Sequence, residues 1–171
     1  RKRGIQRNVA AVVTQVLVDR NDPGFKNPTK GIGGFTTQDK AEIFKKEGWI
    51  VTEDAGRGWR RMIASPIPLK IIEFDAIKTL IDNGFILVGV GGGGIPVIEN
   101  EQGDLQGVFA VIDKDRASSL LAAELKADLL LISTAVEKVA INFNKPDQKW
   151  LDKMTLSEAK HYYQEGHLLS G

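Results

Sequence analysis

With 171 residues, 42% of them hydrophobic and 26% charged, the chain has the makeup of one globular domain with a substantial core, which excludes a disordered segment. Its formal charge of +1 gives no electrostatic case for nucleic acid or a membrane surface as a partner. Cysteine is absent, which excludes disulfides and thiolate metal sites, no apolar run reaches spanning length and nothing resembles a signal peptide, so the cytoplasm is the expected location.

The basic start Arg1-Lys2-Arg3, with Arg7, reads as a ragged terminus, since no aromatic residues interleave the charges as a single-strand binder needs. Val9 to Val18 is rich in β-branched residues and predicts one buried strand, closed by the turn cluster Asp19 to Gly24. Phe25 to Phe35 reads as loop. Thr36 followed by Asp39 has capping-box spacing, which predicts a short helix to Glu47 ended by Gly48. Trp49 to Thr52 reads as a strand and Asp54 to Pro68 as irregular, so residues 20–68 look like an insertion of small elements.

Beyond it the pattern becomes regular. Asp75 can cap a helix carrying Ile77, Leu80 and Ile81 on one face and closed by Gly84. Phe85 to Val90 predicts a buried strand running into Gly91-Gly92-Gly93-Gly94. Val97 to Glu99 and Leu105 to Ala110 form a hairpin pattern around Gly103-Asp104. Val111-Ile112 leads into Asp113-Lys114-Asp115 and a helix outlined by Ala117, Leu120, Leu121 and Leu125. Leu129 to Ile132 and Val139 to Phe143 read as further strands, and Thr155 with Glu158 opens a last helix ending near Gly166. Buried strands alternating with amphipathic helices predict an α/β fold with an open, mainly parallel sheet covered on both faces.

Ligands of such sheets bind beyond the carboxyl ends of the strands. That rule points to the loop after Val18, the glycine run, the Asp113-Lys114-Asp115 cluster, and Ser133-Thr134. The glycine run is either a plain tight turn or a backbone bared for phosphate oxygens. Gly89, Gly91 and Gly94 match dinucleotide spacing, but Ile95-Pro96-Val97 follows where a helix must start, so the match fails on context and a nicotinamide-dinucleotide oxidoreductase is left as a minor alternative. Lys114 between two carboxylates is either a solvated surface pattern or a cation placed for phosphoryl transfer. Lys30, among Asn27-Pro28-Thr29 and Gly31-Ile32-Gly33-Gly34, is either solvated or part of a closing lid. Arg57-Gly58-Trp59-Arg60-Arg61 reads as structural ion pairs around a core tryptophan. His161 and His167 lack partners at metal spacing, no metal-ligand set is expected, and Tyr162-Tyr163 reads as helix packing.

Thr14 to Asp19, Asp22-Pro23, Asn27 to Lys30, Glu53 to Arg61, Ser65-Pro66, Gly91 to Val97, Val111 to Asp115, Ile141 to Phe143 and Lys145 to Lys149 together resemble carbamate kinases in order and spacing, almost end to end. The resemblance implies the C-terminal portion of such an enzyme, in the amino acid kinase superfamily: a three-layer αβα sandwich, usually dimeric. Residues 1–19 and 69–171 would belong to that sandwich and 20–68 to a protruding, lid-like subdomain. The implied reaction is reversible phosphoryl transfer between ATP and carbamate, giving carbamoyl phosphate and ADP with Mg2+, in the setting of arginine metabolism.

By the same resemblance Lys114 contacts the nucleotide phosphates, Asp115 orients catalytic lysines and Lys30 reaches in from the subdomain. Gly91, Gly92, Gly93 and Gly94 line the phosphate and acceptor region. Thr134, Val136, Glu137, Phe143 and Pro146 border the nucleotide. Gly31 stands where family members usually have proline, and Ile67 where lysine is common. The family's N-terminal glycine-rich phosphate loop and its second catalytic lysine have no counterpart here, so the expectation is a chain inactive by itself. The alternatives are a paralogue acting on another small acid, and a non-catalytic module.

Overall fold

The computed structural model describes residues 4–54, 56–134 and 136–168. The basic triplet Arg1-Lys2-Arg3 lies outside the described residues. The chain divides into two compact units, Arg1–Leu130 and Leu131–Gly171.

The first unit begins with β1 (Val9–Ala11), β2 (Gln15–Val18), a 3-10 turn at Pro23–Phe25, β3 (Lys30–Thr36), α1 (Gln38–Lys46), β4 (Val51–Glu53), β5 (Trp59–Ile63) and β6 (Pro68–Ile71). It continues through α2 (Phe74–Asp82), β7 (Ile86–Val88), a second 3-10 turn at Gly91–Gly93, β8 (Ile95–Glu99), β9 (Leu105–Gly107) and α3 (Lys114–Glu124). β1 pairs in parallel with β7. A four-stranded mixed sheet has the order β6-β2-β8-β9, with β2 and β8 parallel and both outer strands antiparallel. β3, β5 and β4 form an antiparallel sheet within residues 30–63, inside the stretch read as an insertion. The α/β class read from the sequence is therefore present, with parallel pairing confined, among the described residues, to β1–β7 and β2–β8.

The core of this unit gathers Val16 and Val18 from β2, Ile71 from β6, Ile77 from α2, Val90, Ile98 from β8, and Ile112 with Ala117 beside and on α3. Val16, Ile71 and Ile77 are wholly shielded. Each such side chain contributes roughly 1.5–3 kcal/mol by leaving water.

Several predicted boundaries are corrected. Val9 to Val18 is two strands, because the chain steps from the β1–β7 pair to the β2–β8 pair at Val12 to Thr14, where Thr14 Oγ1 donates to the Val12 carbonyl at 3.0 Å. Phe25 to Phe35 is not loop throughout: β3 occupies its second half, paired with β5, which itself lies in the stretch read as irregular. The register shift between Ile32 and Thr36 absorbs Gly33 and Gly34. The strand expected at Trp49 to Thr52 starts at Val51. The N-cap of α1 is Thr37 rather than Thr36, and it makes no side-chain capping bond. α2 is preceded by Glu73, not capped by Asp75, and the Glu73 carboxylate is engaged elsewhere, accepting from the Gln15 N–H at 2.7 Å. The run Phe85 to Val90 yields only β7, whose Ile86 and Val88 stay exposed. Leu129 to Ile132 forms no strand among the described residues, having none beside it to pair with, and Leu129 and Leu131 are 77% and 84% exposed.

The second unit contains β10 (Val139–Ile141), β11 (Lys149–Leu151) and α4 (Leu156–Gln164). β10 and β11 pair antiparallel, and Phe143 meets Trp150 edge to face. α4 opens at Thr155 and Glu158 as predicted, through a capping box: the Thr155 hydroxyl accepts from the Glu158 N–H, and the Glu158 carboxylate accepts from the Thr155 N–H.

Candidate functional site

The glycine run makes a left-handed turn between β7 and β8. Val90 enters it at φ 46°, an unusual value for a β-branched residue, and its N–H is held by Thr14 Oγ1 at 3.0 Å. Gly93 N–H then donates to the Val90 carbonyl at 2.9 Å, and Ile95 N–H donates to the Thr14 carbonyl at 2.8 Å as β8 begins. Glycine is required at position 93 by contact, because a Cβ there would sit 2.3 Å from the Ile112 carbonyl oxygen. Gly91 and Gly92 instead have open space where a side chain would stand, so a ligand can reach their backbone. Gly94 leads into β8 and not into a helix, so the dinucleotide spacing at Gly89, Gly91 and Gly94 lacks the helix N-terminus that pyrophosphate needs.

The turn packs on Ile112, which stands just before the cap of α3. Asp113 caps that helix, its Oδ1 accepting from the N–H groups of Asp115 at 2.9 Å and Arg116 at 3.2 Å. Its other oxygen, Oδ2, accepts from Lys30 Nζ at 2.5 Å. Burial pushes the Asp113 carboxyl up, but the Lys30 ammonium and the two helix amides together outweigh it and hold the group below the usual carboxylate range. The structure thus brings Lys30, from the sheet of the presumed insertion, to the start of α3 across 83 positions of sequence.

Lys114 and Asp115 form their own pair, Nζ to Oδ1 at 2.9 Å, with the lysine side chain 67% exposed. The bond to Asp115 and its charge hold the Lys114 ammonium above the usual lysine range. Lys114 and Asp115 open α3 directly after Asp113, but the expected strand before that helix is absent, since residues 108–113 are irregular. The carboxylate that holds Lys30 there is Asp113, to which the sequence assigned no role of its own. Its signal was its position immediately before a helix, where an aspartate caps and is held still.

The ion pairs read for the Arg57 to Arg61 segment are present, but Trp59 is half-buried and not part of the core. Asp54 takes Arg57 at 2.6 Å and Arg60 at 3.6 Å, and Arg57's hydrogen bond is the main reason its carboxyl lies below the usual range. Arg60 lies over Phe35, Arg61 over Trp49 and Lys45 over Trp59. A Cβ at Gly31 would meet the Arg60 guanidinium at 3.3 Å, so the residue's lack of a side chain makes room for that arginine.

In the second unit Val136 and Phe143 line an apolar cleft of about 300 Å³ together with Val139, Trp150 and Leu168. Thr134, Glu137 and Pro146 are exposed. His167 is tied to Asn142 at 2.6 Å and to Glu165 at 3.2 Å, and Tyr162 packs edge to face against it. Among the described residues no group of three His, Cys, Asp or Glu side chains could hold a metal ion.

A family model described as the amino acid kinase family matches residues 10–171. Carbamate kinase of Clostridium perfringens is 56% identical over 172 residues, covering 99% of this chain and 54% of that protein. Carbamate kinase-like protein YqeA of Escherichia coli is 55% identical over 169 residues, covering 99% of this chain and 54% of that protein. Among solved structures, carbamate kinase from Giardia lamblia bound to AMP-PNP superposes with a TM-score of 0.80 at 44% identity, over 99% of this chain and 54% of that one. The chain spans about half the length of the curated relatives it matches.

Proposed function

The chain belongs to the amino acid kinase family, and from that premise we propose that the protein carrying it is a carbamate kinase, exchanging a phosphoryl group between ATP and carbamate. The observation that carries the reading is the convergence of Lys30, Asp113 and the four-glycine turn in one compact unit. Phosphoryl transfer leaves little covalent chemistry to the protein and relies on positioned positive charge and backbone donors. The turn offers open backbone at Gly91 and Gly92 to phosphate oxygens. Lys30 supplies a cation carried by a sheet distinct from the one that holds the turn. Lys114, largely exposed beside Asp115, is free to turn toward a bound nucleotide, with Asp115 orienting it.

Thr134, Val136, Glu137, Phe143 and Pro146 are assigned to the nucleotide, a role supported for Val136 and Phe143 by the apolar cleft they line. The described residues supply no metal cage. Kinase sites typically hold Mg2+ through one or two carboxylates plus substrate phosphates, which is the mode assigned to it. Residues 20–68 act as the lid, and the homodimer and the cytoplasmic setting belong to the same reading.

The test is ATP formation from ADP and carbamoyl phosphate by the whole protein, followed in a coupled assay. The wild type is expected to turn over well above a Lys114→Ala control. ATP formation no greater than in that control would reject the reading. A second reading, a paralogue acting on another small acid, is favoured by Gly31 and Ile67 and by the similarity to a carbamate kinase-like relative. It predicts a different acyl phosphate as the best donor in the same assay.

A further inference from the structure

We propose that Asp113 is a positioning residue that seats the Lys30 ammonium at the start of α3, next in the chain to the Ile112 on which the four-glycine turn packs, one carboxylate oxygen fixed by the amides of α3 and the other holding the lysine. The proposal rests on the reading above, in which Lys30 serves the transferred phosphoryl group. Lysine is a point charge on a flexible four-carbon stem, so its place must come from a partner. Asp113 is such a partner because its own rotation is blocked: Oδ1 is bonded to two helix amides, which leaves Oδ2 aimed at Lys30. Its side chain is 18% exposed, against 67% for Lys114, so its bond to Lys30 is shielded where the Lys114–Asp115 bond is not.

The residue before it in the chain is locked to the turn: Ile112 is buried, and its carbonyl fills the space that a side chain at Gly93 would need. A shift of Asp113 would therefore move the turn, and a shift of the turn would move Asp113. The lysine, the carboxylate and the bare backbone form one mechanical unit.

The competing view is that Asp113 is only a helix cap. Asparagine separates the two, since it caps about as well as aspartate and keeps its size but carries no charge for Lys30. In the whole protein Asp113→Asn is expected to lower kcat for ATP formation roughly tenfold to hundredfold, the worth of a hydrogen bond to a charged group. Its melting temperature should fall by no more than about 2–4 °C, since the cap is kept and only the charge facing Lys30 is lost. In a Lys30→Ala background the same change should cost no further activity.

Independently of activity, Lys30 should acetylate severalfold faster in Asp113→Asn than in the wild type, mapped by mass spectrometry with exposed Lys70 as the internal reference. Unchanged Lys30 labelling, or an equal loss of kcat with and without Lys30, would overturn the proposal. If labelling rises while the wild type forms no ATP, the seating stands and the kinase reading is what fails.

Discussion

Replacing each glycine of the turn by alanine tests how the turn is held. At Gly93 the added Cβ would lie 2.3 Å from the Ile112 carbonyl oxygen and 2.8 Å from its carbon, both backbone atoms, at φ +101°. Placing an L side chain in a left-handed conformation costs about 1–2 kcal/mol, and forcing extra volume into packed structure costs about 1–3 kcal/mol. Together Gly93→Ala should lose about 2–5 kcal/mol. Gly92 has φ +66° but nothing near its missing side chain, so Gly92→Ala should lose only the conformational part, about 1–2 kcal/mol. Gly91 has open space and no left-handed angle, so Gly91→Ala should change stability by under about 0.5 kcal/mol. For a protein of this size each kcal/mol moves the melting temperature by about 2–4 °C, so scanning calorimetry resolves the order 91, 92, 93. A Gly93→Ala protein as stable as Gly92→Ala would show that the turn does not lean on Ile112.

The Thr155→Ala change removes the hydroxyl of the α4 capping box and should cost about 1 kcal/mol, seen as faster hydrogen exchange in the first turn of α4. Asp113 also makes stability depend on acidity. Its folded carboxyl lies below the ordinary 3.8, so the stability it contributes is complete above that value and is lost as the pH falls through the lower folded value. Urea midpoints of wild type and Asp113→Asn should therefore differ by a constant amount above pH 3.8 and converge below it.

What was legible in the sequence was mostly local. Thr155 and Glu158 are three positions apart, and the hydrogen bonds that join them need nothing else in the chain, so the helix start read there was found in place. The hairpin of β8 and β9 turns at Gly103, whose φ of +86° is what the glycine allowed. The failure of the dinucleotide spacing was equally local, since a helix cannot begin at Ile95-Pro96-Val97. Strand formation was harder to read because it depends on a partner. Lys30 to Thr36 is glycine-rich and looks like loop, yet β5 supplies the ladder that makes it a strand. Leu129 to Ile132 looks like a strand, yet among the described residues nothing pairs with it. The bond between Lys30 and Asp113 joins two loop-like motifs whose separate patterns say nothing of each other.

Thr14 explains how a strained turn can persist between β7 and β8. A β-branched residue at φ 46°, as Val90 is, costs about 1–3 kcal/mol and survives only where its surroundings determine it more than once. Thr14 supplies that determination from both ends. Its hydroxyl accepts from the Val90 N–H before the glycines, and its carbonyl accepts from the Ile95 N–H after them. The same hydroxyl donates to Val12, which fixes its own direction, and the residue is only 4% exposed. The glycines between these two anchors are therefore closed over a set span by β2 and pressed from below by Ile112. A backbone set in this way has already lost the freedom that a floppy glycine loop would lose on binding a ligand. Four consecutive glycines at this place thus make a rigid element, and the strain in Val90 is part of what keeps it so.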